Sequence, residues 1–168
     1  TELRNGLDSL DDEIIVLLEK RFKISGLVAA AKNGSAAFRP GREAAIMRRL
    51  QSAAPDLDPT LIAGIWRHIF SSSVAQQQGS LRISALDESL VTSHWHFANS
   101  VTFDVIDDLD RLLNAVPNQA DYIVAPCTAA PQIARHLLTN QEVMIVARTP
   151  LIDIPSIIPC FIIGPHEA

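Results

Sequence analysis

The chain has 168 residues with a formal net charge of −5 at pH 7, and 48% of its residues are hydrophobic. This composition supports a packed core and excludes wholesale disorder. The negative charge argues against binding of nucleic acid through a basic surface. No apolar run reaches the length of a membrane span and no signal peptide opens the chain, so we expect no membrane partner. Two cysteines, Cys127 and Cys160, are too few for a disulfide framework and favour a reducing cytoplasm.

The first half of the sequence predicts three helices. Apolar residues recur at spacings of three and four from Leu3 to Val28, which predicts one long helix that ends near Asn33-Gly34. Such a helix, about 45 Å long with a continuous apolar seam, needs a partner, so we expect a homodimer. Further helices are predicted over 42–53 and from an Asp58 cap to about Gln78. The inward residues expected on the last helix are Ile62, Ile65, Trp66, Ile69 and Phe70.

The second half predicts a small α/β domain. Charge and proline content change near QQQGS at 76–80, which predicts domains over 1–79 and 80–168. Gly164 is the only glycine from 81 onward, so glycine-rich phosphate or dinucleotide loops are absent from this half. Helical periods and short apolar runs predict helices over 105–116 and 131–139 and strands over 122–125, 143–147 and 160–163.

Polar residues interrupt the apolar stripes of the three predicted helices. The helical period turns five of them inward: Arg21, Lys32, Glu43, Ser73 and Gln77. They form either an internal network, with Glu43 paired to Arg21 and Lys32, or a pocket for a ligand with carboxylates and a hydroxyl. Convergence of all five favours the pocket.

The chemistry of this pocket is electrostatic. Cations and amides without a nucleophile, a base or a metal cluster suit stabilisation of a unimolecular transition state without a cofactor. Arg4 lies 17 residues before Arg21 and off its face, so one straight helix cannot bring both to one small molecule. An antiparallel partner helix could supply Arg4 in trans.

Three stretches of residues 2–78 follow a family pattern in order and spacing: LRNGLDSLDDEIIVLLEKRFKISGLVAAAK, FRPGREAAIMRRL and IFSSSVAQQQ. They resemble the all-helical, type II chorismate mutases, and FRPGREA resembles the mutase domain of bifunctional chorismate mutase–prephenate dehydratases. The resemblance implies an intertwined helical dimer. It also implies an isomerase that converts chorismate to prephenate by a cofactor-free Claisen rearrangement in aromatic amino-acid biosynthesis.

The resemblance also implies a role for each site residue. Arg21 and Arg4 of the other chain would hold the substrate carboxylates, and Lys32 and Gln77 would donate hydrogen bonds to the ether oxygen. Glu43 would bind the ring hydroxyl. The remaining two, Ser73 and Arg42, would assist at a carboxylate and support the site. Arg39 stands where many relatives have an acid and is left outside this set.

The second half resembles a dehydratase α/β lobe only faintly, through HF at 96–97, ADYIVAP and VARTP. It lacks a Thr-Arg-Phe triplet and is too short for a complete dehydratase, so we expect a degenerate domain. His94 and His96 form an HxH pair that is a weak metal signal, and we predict no metal site. The alternatives to a mutase are an isochorismate-pyruvate lyase, which shares the fold, and a non-catalytic or regulatory module of the aromatic pathway.

Overall fold

The structure is a computed structural model that describes residues 2–31, 37–98 and 101–166. The chain divides into two compact units, residues 1–37 and 38–168. Within the described ranges, no helix combines the length and apolar character needed to cross a membrane.

The first unit contains one uninterrupted helix of 30 residues, α1 (Glu2–Ala31), as the apolar period predicts. Its apolar seam is exposed, from 87% of Leu3 to 48% of Val28. The predicted end signal at Asn33-Gly34 and the predicted site residue Lys32 lie outside the described residues. The first unit therefore presents an exposed apolar face over the whole length of α1.

The second unit opens with two helices, α2 (Pro40–Ala53) and α3 (Pro59–Gln78). Helix α2 begins earlier than the predicted Arg42, because Pro40 is compatible with the first turn of a helix. Helix α3 begins as predicted, since the Asp58 carboxylate accepts a hydrogen bond of 2.8 Å from the Thr60 amide. The inward residues of the two helices pack together around Met47, Ile62, Ala63 and Phe70.

For the single chain, the predicted burial of one residue of α3 is wrong. Ile65 is expected to face inward but is 46% exposed, and Leu61, one turn earlier on the helix, is 53% exposed. The reason is that the buried face of α3 is centred on Ala63, Arg67, Phe70 and Val74, and Ile65 lies just beyond its edge.

A mixed sheet of five strands follows the helices, as the α/β prediction requires, in the order β2-β1-β3-β5-β4. Strand β1 runs parallel to β2 and β3, whereas β5 runs antiparallel to β3 and β4. The strands are β1 (Leu81–Ala85), β2 (Val101–Val105), β3 (Tyr122–Pro126), β4 (Val143–Thr149) and β5 (Cys160–Pro165). The connecting helices are α4 (Leu90–Phe97), α5 (Leu109–Leu113) and α6 (Ala130–Thr139).

The prediction missed β1, α4 and β2. The helix predicted over 105–116 is reduced to α5, because residues up to Val105 form an edge strand beside β1. The change from helix to strand falls between Gln78 and Leu81, at the predicted boundary 79/80, whereas the compact units divide at 37/38. The boundary at 79/80 stays a prediction.

Two contacts within the second unit position the site. Helix α3 packs on α4, and helix α2 packs on β4. These contacts bring together side chains from four elements that are far apart in sequence. The main core of the sheet lies elsewhere, around Leu112, Ile123, Ile133 and Ile163.

Candidate functional site

A buried ion pair joins α2 to α3. Glu43 lies in the first turn of α2, and its Oε2 atom is 2.8 Å from Nη1 of Arg67 on α3. Glu43 is 7% exposed and Arg67 is 5% exposed. The helical period correctly places Glu43 inside the protein, but its partner is a cation that sequence reasoning did not select.

Two further side chains extend this pair toward the sheet. His96, at the end of α4, places Nε2 3.2 Å and Nδ1 3.4 Å from Nη1 of Arg67. Its Nδ1 atom is also 2.8 Å from Oγ1 of Thr149, the last residue of β4. One tautomer satisfies both neighbours: Nδ1–H donates to Thr149, and Nε2 accepts from Arg67. We call these four residues, Glu43, Arg67, His96 and Thr149, the Glu43 cluster.

Burial sets the protonation states in the cluster. Burial raises the pKa of the Glu43 carboxyl above its ordinary value, and the charge and hydrogen bond of Arg67 partly oppose the rise. Burial and then the positive charge of Arg67 hold the pKa of His96 well below its ordinary value of 6.5. His96 is therefore neutral at pH 7, as an acceptor for the guanidinium must be.

A cavity of about 200 Å³ gives access to this cluster. Glu43, Arg67 and His96 form one part of its wall, together with Gly41 at the start of α2 and Arg148 on β4. A carboxylate held at one oxygen by Arg67 can accept a hydrogen bond from a ligand hydroxyl at its other oxygen.

The other predicted site residues lie in different surroundings. On α3, Ser73 is buried and donates a hydrogen bond of 2.8 Å to the carbonyl oxygen of Ile69, while Gln77 is half-buried. On α2, Arg42 is exposed. In the first unit, Arg4 is exposed and Arg21 is half-buried, and partial burial lowers the pKa of Arg21.

Sequence reasoning missed Arg67, His96 and Thr149 as members of this cluster. The signal for Arg67 was its place in the stripe of α3, four residues after Ala63 and three before Phe70. His96 was considered only as a metal ligand with His94, whose ring packs on Phe103 at a centroid distance of 4.1 Å. Within the described ranges, no group of three or more His, Cys, Asp or Glu side chains is placed to hold a metal ion.

Comparison with known proteins relates the helical segment to a family. Residues 3–78 match the family model of chorismate mutase type II. The chain is also 30% identical over 131 residues to a bifunctional chorismate mutase/prephenate dehydratase of Neisseria gonorrhoeae, a match that covers 73% of this chain and 35% of that enzyme. No solved structure matches the chain significantly.

Residues 3–78 are therefore similar to the chorismate mutase type II family, and the resemblance predicted from the sequence is confirmed. Both matches support an isomerase, the predicted class of enzyme. The chain spans about a third of the length of the bifunctional relative. A match over 73% of the chain is longer than the helical segment, so the similarity extends into residues 80–168.

Proposed function

We propose that the chain is a chorismate mutase, which converts chorismate to prephenate without a cofactor in aromatic amino-acid biosynthesis in the cytoplasm. The observation that carries the proposal is the family match over residues 3–78. This segment contains all seven predicted site residues: Arg4, Arg21, Lys32, Arg42, Glu43, Ser73 and Gln77.

The reaction needs a pocket that holds a dianionic substrate in a folded conformer and stabilises the charge that develops on it. In one intramolecular step a C–O bond breaks, a C–C bond forms and negative charge grows on the ether oxygen. In our proposal Arg21 holds one carboxylate in the folded conformer, while Lys32 and Gln77 donate hydrogen bonds to the ether oxygen. For an acceleration of about 10⁶-fold, these effects must together lower the barrier by roughly 8 kcal/mol.

Glu43 is the proposed acceptor for the ring hydroxyl. Its Oε2 atom already accepts a hydrogen bond from Arg67, so Oε1 is the oxygen that would accept a hydrogen bond from the substrate. Its burial supports the assignment, because a hydrogen bond to a buried carboxylate discriminates strongly against a substrate without the hydroxyl. Ser73 would assist at a carboxylate and Arg42 would support the site.

A second copy of the chain completes the proposed site. Arg4 and Arg21 are separated by about 26 Å along α1 at 1.5 Å per residue, too far to hold one small molecule. An antiparallel α1 from a second copy would bring its Arg4 beside Arg21. The exposed seam of α1 supports this homodimer, since an apolar face of this length is typical of a helix that packs on a partner.

We propose no dehydratase activity for residues 80–168. This part of the chain has no Thr-Arg-Phe triplet. We propose instead a degenerate dehydratase-like domain that packs on the mutase helices.

Substrate profiling tests the function. We expect the purified chain to consume chorismate and form prephenate, without release of pyruvate from chorismate or isochorismate. Faster release of pyruvate from isochorismate would make the chain an isochorismate-pyruvate lyase. Inertness toward both substrates would leave a binding or regulatory module. Glu43→Gln is the site variant, and Glu142→Gln, an exposed carboxylate, is the matched control.

A further inference from the structure

We propose that Arg67, His96 and Thr149 form a positioning chain that fixes the orientation of the Glu43 carboxylate. Residues beyond the mutase segment would thereby contribute to substrate binding. The inference rests on the proposed role of Glu43 as the acceptor for the substrate hydroxyl.

The first link of the chain fixes one oxygen of Glu43. Oε2 accepts from Arg67 Nη1 at 2.8 Å, with both side chains at least nine-tenths buried. A hydrogen bond between charged groups of this length restricts the rotation of the carboxylate. Glu43 can then present Oε1 to a ligand in one direction.

The second link holds Arg67, which is long and would otherwise be free to change rotamer. Its guanidinium carbon lies 5.3 Å from the centre of the Phe70 ring, and Nη1 also contacts His96. His96 is held in turn by Thr149 and by the edge of the Phe38 ring, at a centroid distance of 5.9 Å.

The residues of the positioning chain come from both sides of the point between Gln78 and Leu81 where the chain changes from helix to strand. Glu43 and Arg67 lie on α2 and α3, within the segment that matches the mutase family. His96 and Thr149 lie on α4 and at the end of β4. Thr149 is 1% exposed, so bulk water cannot replace His96 as the hydrogen-bond partner of its hydroxyl at low cost.

Thr149→Val breaks the outermost link and leaves every charge in place. The matched control is Thr92→Val: Thr92 is also fully buried, and its Oγ1 donates a hydrogen bond of 2.8 Å to the Ile158 carbonyl rather than to a member of the Glu43 cluster. Thr149→Ser retains the hydroxyl and serves as the rescue. A loss of stability alone would affect both valine variants.

For chorismate turnover by the full chain, we expect Thr149→Val to raise KM about 10-fold with little change in kcat, as for loss of an outer positioning partner. Thr149→Ser and Thr92→Val should retain the wild-type KM. In a Glu43→Gln background Thr149→Val should have no further effect, because its influence passes through Glu43. Equal effects of the two valine variants, or additivity with Glu43→Gln, would overturn the proposal.

A second readout does not depend on catalysis. The carboxyl ¹³C resonance of Glu43, assigned with Glu43→Gln, reports the pKa of that group. We expect Thr149→Val to raise this pKa, because a loosened Arg67 opposes the effect of burial less, and Thr92→Val to leave it unchanged. His96→Leu, which breaks the next link, should raise it as well.

The two readouts separate the two proposals. If the wild-type chain does not convert chorismate, the proposed function fails, while the titration of Glu43 still decides the positioning chain. If the pKa of Glu43 is the same in Thr149→Val, His96→Leu and the wild type, the positioning chain is refuted whatever the activity.

Discussion

We expect Arg67→Met to lower the free energy of unfolding by about 3–5 kcal/mol at pH 7, the usual cost of removing one partner from a buried ion pair. At the observed separation of 2.8 Å, the attraction at an effective dielectric constant near 20 is about 6 kcal/mol, most of which offsets the desolvation of the two groups. Methionine fills similar space but leaves a buried carboxylate without its cation and a His96 nitrogen without its donor.

The loss should depend on pH in a defined direction. Burial already raises the pKa of Glu43 above its ordinary value of 4.5, and Arg67→Met removes the group that opposes the rise. Between the unfolded and the folded pKa, the folded chain binds more protons than the unfolded chain, so stability falls as pH rises through this window. The variant should therefore be destabilised more at pH 8 than at pH 5, as measured by urea unfolding.

Two further variants control the measurement. Glu43→Gln/Arg67→Met removes both charges and should be more stable than Arg67→Met at pH 8, because no carboxylate is left unpaired. Arg82→Met breaks an ion pair to Asp121 of the same length, 2.8 Å, at a half-exposed site and should change stability far less. Equal losses for Arg67→Met and Arg82→Met, or a loss independent of pH, would refute the reasoning.

Three other predictions concern charge and assembly. The folded pKa of His96 lies well below its unfolded value of 6.5. The free energy of unfolding of the wild type should therefore fall by up to about 1.4 kcal/mol per pH unit from this group as pH falls below 6.5. His96→Gln should lack that slope in urea titrations. Gln77→Glu should lower turnover far more at pH 8 than at pH 5, since a carboxyl donates to the ether oxygen only when protonated, whereas an amide donates at any pH; equal losses would remove Gln77 from the site. Co-expressed Arg4→Ala and Arg21→Ala chains should regain about a quarter of wild-type activity, because half of randomly formed dimers contain one intact site of two; no recovery would exclude Arg4 in trans.

Periodicity was sufficient to predict the three helices of the first half of the chain and the inward position of Glu43. The seam from Leu3 to Val28 has no interruption that would end a helix, so α1 extends without a break as expected. Asp58-Pro59 is a strong start signal, so α3 begins where expected. The same method placed Ile65 inside, because the alternative stripe of α3 contains a charged residue, Arg67, at a core position.

The sheet and the cluster were harder to predict for physical reasons. Strand β2 lies at an edge, and the short, partly polar sequence VTFDV alternates without a continuous apolar run. The partners of Arg67 depend on the packing of α3 on α4 and of α2 on β4, contacts that join residues 53 positions apart in the case of His96 and Thr149. Local periodicity contains no information about such contacts.

The most direct test of the account is the rate at which the full chain converts chorismate to prephenate, measured for the wild type, Arg21→Ala, Lys32→Ala and Lys23→Ala. Lys23 is an exposed cation on the same helix as Arg21 and serves as the control. We expect activity in the wild type and in Lys23→Ala, with kcat lower by about 10²–10³-fold in Lys32→Ala, the usual cost of removing a donor to a developing oxyanion. Arg21→Ala should also lose most of the rate. An inert wild type, or site variants as active as Lys23→Ala, would contradict the assignment of a chorismate mutase site to these helices.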